Sequence, residues 1–203
     1  MLNWIHIDDD FIAVDKPTAL LCVPGRGPDK ADCLLSRVQK TYPDALMIHR
    51  LDMDTSGLIL FACSREAQRN LSKQFELRQI SKQYVALVEG VVPEDEGKID
   101  VALRKDMTQR LPPKHLIDCV RGKSAITRWK VLERTTTQTR LALFPETGRS
   151  HQLRVHLTSI GFPIVGDPIY GTPAERLMLH AETLLFFHPR TNQPIQLKCP
   201  APF

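Results

Sequence analysis

The stretch HRLDMDTSGLILFA, residues 49–62, sets an arginine, two aspartates, a threonine, a serine and a glycine directly against five consecutive apolar residues. A carboxylate beside a buried strand must be paired or hydrogen-bonded, because desolvation otherwise drives it neutral. Such a placement is either a polar turn in front of core or an ionised group held for chemistry. Asp54 opens DTSG, a run of turn formers, and reads most simply as a turn residue. Asp52, beside Arg50 and Leu51, fits a turn less well and calls for a cationic partner. Arg50 lies on its side only if the backbone there is extended.

A second polar cluster is ETGRSHQLRVHL, with Arg149, His151, Gln152, Arg154 and His156. On a helix, His151 and Arg154 share a face while Leu153 and Leu157 turn to the core. Polar residues at a helix start suit a phosphate or carboxylate, since the first N–H groups point outward there; the plain alternative is a solvated helix face. His151 and His156 lack the spacing of a helical metal pair, and no HExxH run accompanies them, so no metal is expected. Neither GxxxxGK[ST] nor GxGxxG occurs, so no nucleotide cofactor is expected either. DTSG bears a faint likeness to the Asp-Thr/Ser-Gly loop of aspartic proteases, but those need two aspartates and an uninterrupted triplet.

These groups need a scaffold, and hydrophobic periodicity supplies one. WIHI and FIAVDKP flank an acidic turn and predict a hairpin ending at Pro17. Leu34, Leu35, Val38 and Tyr42 recur at helical spacing over 31–42. Leu58 to Ala62, bounded by Gly57, suits a strand buried on both faces. Ser64 can cap a helix through REAQRNLSKQFELRQI, and SKQYVALVEG reads as a strand. KSAITRWKVLE and TRLALFP predict a second hairpin, and LLFFHP with PIQLKCP a third. SHQLRVHLTSIG predicts a helix with a Leu153, Leu157, Ile160 stripe that Gly161 terminates. Residues 93–123, rich in proline and charge, give no clear period. Strands outnumber helices and are mostly hairpin-linked, so the fold class is α+β with a mixed, largely antiparallel sheet.

The 203 residues fit one domain. Lysine and arginine outnumber the acids by 27 to 23, a formal charge of +4 that leans modestly toward polyanions. Five cysteines without a CxxC pair argue against a disulfide framework and for a reducing cytoplasm. No export signal is visible, and no apolar run approaches the roughly 18 residues of a membrane span.

HRLDMDTSGLILFA closely resembles the signature motif of RluA-type pseudouridine synthases. VDKP, KQYVALVEG, GKSAITRWKV, TGRSHQLRVHL, PIVGDPIYG and LMLHAE resemble further segments of that family, in the family's order and over nearly the whole chain. The resemblance implies a pseudouridine synthase catalytic fold and no cofactor. It maps the catalytic aspartate onto Asp52, the base-stacking tyrosine onto Tyr84 and the salt-bridging arginine onto Arg154. It implies substrate contacts at His49, Arg50, Thr55 and Gly57 of the first motif and at Arg149, His151 and Gln152 of the arginine motif, with Arg50 implicated in flipping the nucleotide. Asp54 falls on a variable position. The expected partner is RNA, with no DNA and no membrane. Many relatives carry an N-terminal S4 domain; here a single catalytic domain over 1–203 is expected, most like the short branch that modifies ribosomal and transfer RNA. A non-catalytic RNA-binding or RNA-folding module on the same fold is the alternative.

Overall fold

The computed structural model describes residues 2–25, 31–108 and 113–203. Their contacts divide the chain into two compact units, Met1–Lys82 with His180–Pro202, and Gln83–Leu179 with Phe203.

In the first unit the expected hairpin forms from β1 (Asn3–Ile7) and β2 (Phe11–Lys16). β3 (Leu46–Met47) and β2 both pair antiparallel with β4 (Ser56–Ala62). β11 (Leu179–Phe187) pairs parallel with β4 and antiparallel with β12 (Pro194–Lys198). Strands on both sides leave every residue of β4 buried, which is what its continuous apolar run requires. α1 is shorter than its periodicity predicts, Leu34–Gln39, because the Cys33 thiol and the Ser36 side chain close a capping box there. α2 (Arg65–Glu76) starts where expected: the Ser64 hydroxyl accepts the Ala67 N–H at 3.1 Å. It stops at Glu76, before the predicted Ile80, and Arg78 then takes a left-handed φ of 57°. Ala67 and Leu71 face the core, and the Gln74 amide clamps both main-chain groups of Phe187 at 2.8 and 2.9 Å. The core gathers Phe11, Leu58, Leu60, Leu71, Leu184 and Phe186.

In the second unit β5 (Ser81–Glu89) pairs with β10 (Gln138–Pro145), which pairs with β9 (Ile126–Arg134), which pairs with β6 (Glu96–Asp100), all antiparallel. The aperiodic region thus holds β6 and a separate hairpin, β7 (Leu103–Lys105) with β8 (His115–Ile117). These strands are too short for alternation to register. α3 spans Gln152–Ser159, and Leu153 and Leu157 join Val88, Trp129, Leu141 and Leu143 in the core. Ile160 departs from the predicted stripe: it is the C-cap and is 37% exposed. Gly161, at φ 88°, ends the helix by donating to the Thr158 carbonyl.

Strands predominate, the helices are few, and all but one of the described strand pairings within the units are antiparallel, as the α+β expectation had it.

One glycine is dictated by geometry rather than by a turn. Gly57 sits inside β4 at φ 111°, opposite Ala181, where a Cβ would lie 2.3 Å from the Ala181 carbonyl oxygen. Gly57→Ala is therefore expected to cost roughly 3 kcal/mol or more, from backbone strain and a main-chain clash together. Urea melts of the two proteins measure this; a loss below about 1 kcal/mol would show that β11 gives way freely.

Candidate active site

In the first unit, residues 52–55 form a tight turn closed by Thr55 N–H on the Asp52 carbonyl at 3.2 Å. The chain just after β2 holds that turn from beneath. Lys16 is fully buried, and its ammonium donates to the carbonyls of Pro17 at 2.9 Å, Leu20 at 2.7 Å and Met53 at 2.7 Å. The Met53 carbonyl also accepts the Leu20 N–H, and the Thr18 hydroxyl donates to the Asp54 carbonyl at 2.7 Å. The Cys22 thiol donates to the Leu51 carbonyl at 3.2 Å and accepts its N–H at 3.3 Å. The main chain is thus pinned on both sides of Asp52, whose side chain is half-buried.

Burial pulls the Lys16 ammonium down to about 8, against the opposing pull of Cys22, Asp54, Asp52 and Asp15. It stays charged at neutral pH, and only the charged form has three N–H donors for three carbonyls. Lys16 is thus a fixed positive charge near both aspartates, while Arg50, the cation adjacent in sequence, is exposed and makes no ion pair with Asp52.

His49 packs its ring on Phe75 at 4.4 Å, and its Nε2 accepts the Leu60 N–H at 3.0 Å. Burial, with the charge of Lys82, drives it down to about 3, so it is a neutral imidazole carrying its proton on Nδ1. Thr55 and Ser56 are buried. The His180 ring lies between the Ser56 hydroxyl at 2.9 Å and the Cys199 carbonyl at 3.0 Å; a carbonyl only accepts, so Nε2 holds the proton and Nδ1 accepts from Ser56.

Among the described residues, two groups of side chains bring possible metal ligands within 4.8 Å of one another: Asp15, His180 and Cys199, and Asp8, Asp10 and His188. In the first, both His180 nitrogens serve the protein. In the second, His188 Nδ1 accepts the N–H groups of Arg190 and Thr191, and Asp10 is paired with Arg190 at 2.8 Å. Neither group offers the open lone pairs of a metal site.

In the second unit Tyr84 lies on β5 opposite Leu143, half-buried and packed against the core cluster. The arginine motif departs from expectation in two ways. His151 is not on the helix: it is the N-cap, in left-handed conformation at φ 55°, with Nδ1 2.8 Å from the Tyr170 hydroxyl. It therefore does not share a helical face with Arg154. Nor is α3 a solvated face, since all six residues from Gln152 to Leu157 are buried.

The Gln152 amide makes four hydrogen bonds within the protein. Its oxygen accepts from Thr147 Oγ1 at 2.7 Å and Arg149 N at 3.0 Å, and its nitrogen donates to Ile126 O at 2.9 Å and Thr127 Oγ1 at 3.1 Å. It fastens the helix start to β9. Arg149 donates from Nε to the Ser124 carbonyl at 3.1 Å. His156, fully buried, bonds Thr127 Oγ1 and the Val101 carbonyl, and burial lowers its pKa.

Arg154 is 2% exposed and forms a two-point pair with Asp167, Nε to Oδ2 at 2.8 Å and Nη2 to Oδ1 at 2.6 Å, with its guanidinium 5.2 Å from the Tyr170 ring centre. Burial pushes the Asp167 carboxyl up, but Arg154 and the N–H groups of Ile169 and Tyr170 outweigh it and hold the group below its usual range.

Of the residues singled out from sequence, the first unit assembles His49, Arg50, Asp52, Thr55 and Gly57, and the second assembles Tyr84, Arg149, His151, Gln152 and Arg154. Lys16, Asp167 and Tyr170 were not singled out. Their segments, VDKP and GDPIY, were visible as motifs, but nothing local marks a lysine or an aspartate as buried.

A family described as RNA pseudouridylate synthase matches residues 10–159 of the chain. A protein of Pasteurella multocida named dual-specificity RNA pseudouridine synthase RluA is 45% identical over 208 aligned residues, covering all of this chain and 94% of that relative. The Escherichia coli K12 protein of the same name is 44% identical, covering 98% and 94%. Among solved structures, human RNA pseudouridylate synthase domain containing 1 superposes with a TM-score of 0.86 at 28% identity, covering all of this chain and 84% of the human one.

Lys16→Met takes the ammonium from three carbonyls, of which that of Met53 keeps the Leu20 N–H. It is expected to lower stability by about 1–3 kcal/mol and to loosen the Asp52 turn, so turnover should fall at least roughly tenfold; urea melts and rate measurements on one preparation check both. The buried histidines set an acid dependence. His49 and His156 refuse protons in the folded state that the unfolded chain takes up below about pH 6.5, so stability declines as pH falls from there toward 3. Urea midpoints at pH 7, 5.5 and 4.5 should drop in order, and the drop should be shallower in His49→Phe. A flat series would mean that these rings are not held neutral.

Proposed function

The chain belongs to the RNA pseudouridylate synthase family, and on that premise we propose that Asp52, Tyr84 and Arg154 form the site at which it isomerises a uridine of structured RNA. The enzyme breaks the bond from N1 to C1′, turns the base and rejoins it through C5. The C5 proton is lost and N1 gains one, so atoms and electrons balance without an outside reactant, and the reaction demands no cofactor.

C1′ becomes electron-poor as N1 departs, so an ionised carboxylate there attacks it, stabilises it or removes a sugar proton. Uracil leaves as a stabilised anion and water must be kept out, so one carboxylate suffices where glycoside hydrolases use two. Asp52 takes this role in our reading because its main chain is pinned on both flanks while the residue stays partly exposed. That is the observation on which the reading chiefly rests. Lys16 sets a positive charge near it, and Arg154 is proposed, from the family resemblance, as the second cation of the site. Tyr84 offers a flat face for the uracil.

The target must leave its helix, at a cost of a few kcal/mol, and Arg50, exposed on the same turn, fills the vacated place. His49, Thr55, Gly57 and Gln152 serve by shaping the two motifs, and Arg149 and His151 stay candidates for substrate contact. Exposed Arg65, Arg69 and Lys73 of α2 and Arg78 beyond it are proposed to neutralise phosphates; Arg26 and Lys30 of VPGRGPDK are proposed for the same role from sequence alone and lie outside the described residues. The relatives' name carries over as the proposal that this enzyme, too, acts on more than one RNA, ribosomal and transfer RNA being the expected pair. Among the described residues no helix is long and apolar enough to cross a membrane; a cytoplasmic setting and the working of both units as one catalytic domain are further parts of the proposal.

Release of tritium from RNA carrying uridine tritiated at C5 separates the two aspartates. Asp52→Asn should abolish release while RNA affinity stays within about threefold. Asp54→Ala, whose main-chain carbonyl still accepts from Thr18, should keep most of the rate. The reverse pattern would assign the chemistry to Asp54.

A further inference from the structure

Arg154 and Asp167 form the most deeply buried ion pair among the described residues, at 2% and 0% exposure. Stability alone does not account for it. Burying two charges costs desolvation free energy that the pair barely recovers, and apolar replacements of such pairs are commonly neutral or stabilising.

The geometry around the pair is closed. The Asp167 carboxylate accepts Nε and Nη2 of Arg154 and also the backbone N–H groups of Ile169 at 2.9 Å and Tyr170 at 3.0 Å. The chain of GDPIY therefore wraps around that carboxylate and sets the Tyr170 ring beside the guanidinium, its centre 5.2 Å from Arg154 Cζ. The far end of Tyr170 is fixed as well: its hydroxyl accepts the His115 N–H at 2.8 Å and bonds His151 Nδ1 at 2.8 Å. His151 is held in a left-handed conformation that costs a non-glycine residue about 1 kcal/mol, strain of a kind that persists where surrounding contacts over-determine it.

One edge of the guanidinium is thereby set by two hydrogen bonds, and an anchored aromatic ring beside its carbon restricts how far the plane can roll about that edge. We propose that Asp167 and Tyr170 are positioning residues for the isomerisation, acting through Arg154: together they hold its guanidinium in one orientation. This rests on the reading of Arg154 as a residue of the catalytic site. A charge oriented in advance needs no reorganisation when the transition state forms, whereas a loose arginine has its rotamer freedom to lose first.

The test uses the full chain, single-turnover rates at saturating RNA, RNA affinity and thermal melts for Asp167→Asn, Tyr170→Leu, Tyr170→Phe, Arg154→Lys, and Arg154→Lys combined with Asp167→Asn. Asp167→Asn keeps an oxygen for the turn but faces Arg154 with N–H groups; its rate should fall roughly 100-fold, with affinity within about threefold. Added to Arg154→Lys it should cost less than about threefold more, because the residue it acts through is already altered. Tyr170→Phe keeps the ring and should turn over at least roughly tenfold faster than Tyr170→Leu.

A rate for Asp167→Asn near wild type, full multiplication of losses in the double variant, or equal rates for Tyr170→Phe and Tyr170→Leu would each overturn the positioning role. If Asp167→Asn does not fold, the two Tyr170 variants decide alone. Arg154→Lys at the wild-type rate would refute the site reading itself; a slow Arg154→Lys beside a fast Asp167→Asn refutes only the positioning.

Discussion

The turn that carries Asp52 hangs from one buried ammonium. Lys16 stands at the end of β2 and donates to three carbonyls, two of its own segment and one from Met53, so that strand end and turn cannot move apart without stranding a charge in the interior. Such a group is costly to bury and costlier to leave unpaired, which makes the tie close to all-or-none. Cys22 and Thr18 add weaker bonds to the same stretch, and β4 leads away from it as fully buried strand. Lys16 thus ties the turn to the strand end and sets a positive charge near both of its aspartates.

The second unit solves the matching problem for a guanidinium with different means. α3 is only eight residues long and buried along most of its length, so it cannot be held by an amphipathic stripe alone. Polar side chains do the rest. Gln152 joins the helix start to β9, His156 reaches Thr127 and Val101, and Arg154 is locked between Asp167 and Tyr170. Each of these groups is satisfied by several partners at once, the condition under which a buried polar network gives one defined arrangement rather than several. The fold therefore spends much of its buried polarity on the arginine motif, and the strained backbone at His151 is part of the same arrangement.

Substrate contacts and framework are consequently hard to separate within the two motifs. His49, Gly57 and Gln152 lie in segments whose family resemblance is functional, yet each has a structural duty: an acceptor for Leu60, a gap for Ala181, a clasp on β9. Motif residues of this kind are needed for chemistry because they shape the chain around the few groups that perform it.

Much of this was legible along the chain. Alternation and apolar runs located the three hairpins, β4, β5 and α2, because each depends on burial patterns written in neighbouring residues. The proposal of Asp52, Tyr84 and Arg154 as the site comes from motif resemblance. The ends of α1 and α2, the short strands β6 to β8 and the place of His151 outside its helix were not legible, since a cap or a left-handed residue turns on one or two residues rather than on a periodic pattern, and short pairings on partners distant in sequence. The same holds for Lys16 and Asp167. Whether a charge is a solvated ornament or a buried clamp depends on which carbonyls, N–H groups and counter-charges the folded chain brings to it, Met53 to Lys16 and Arg154 to Asp167, and that proximity is a property of tertiary structure alone.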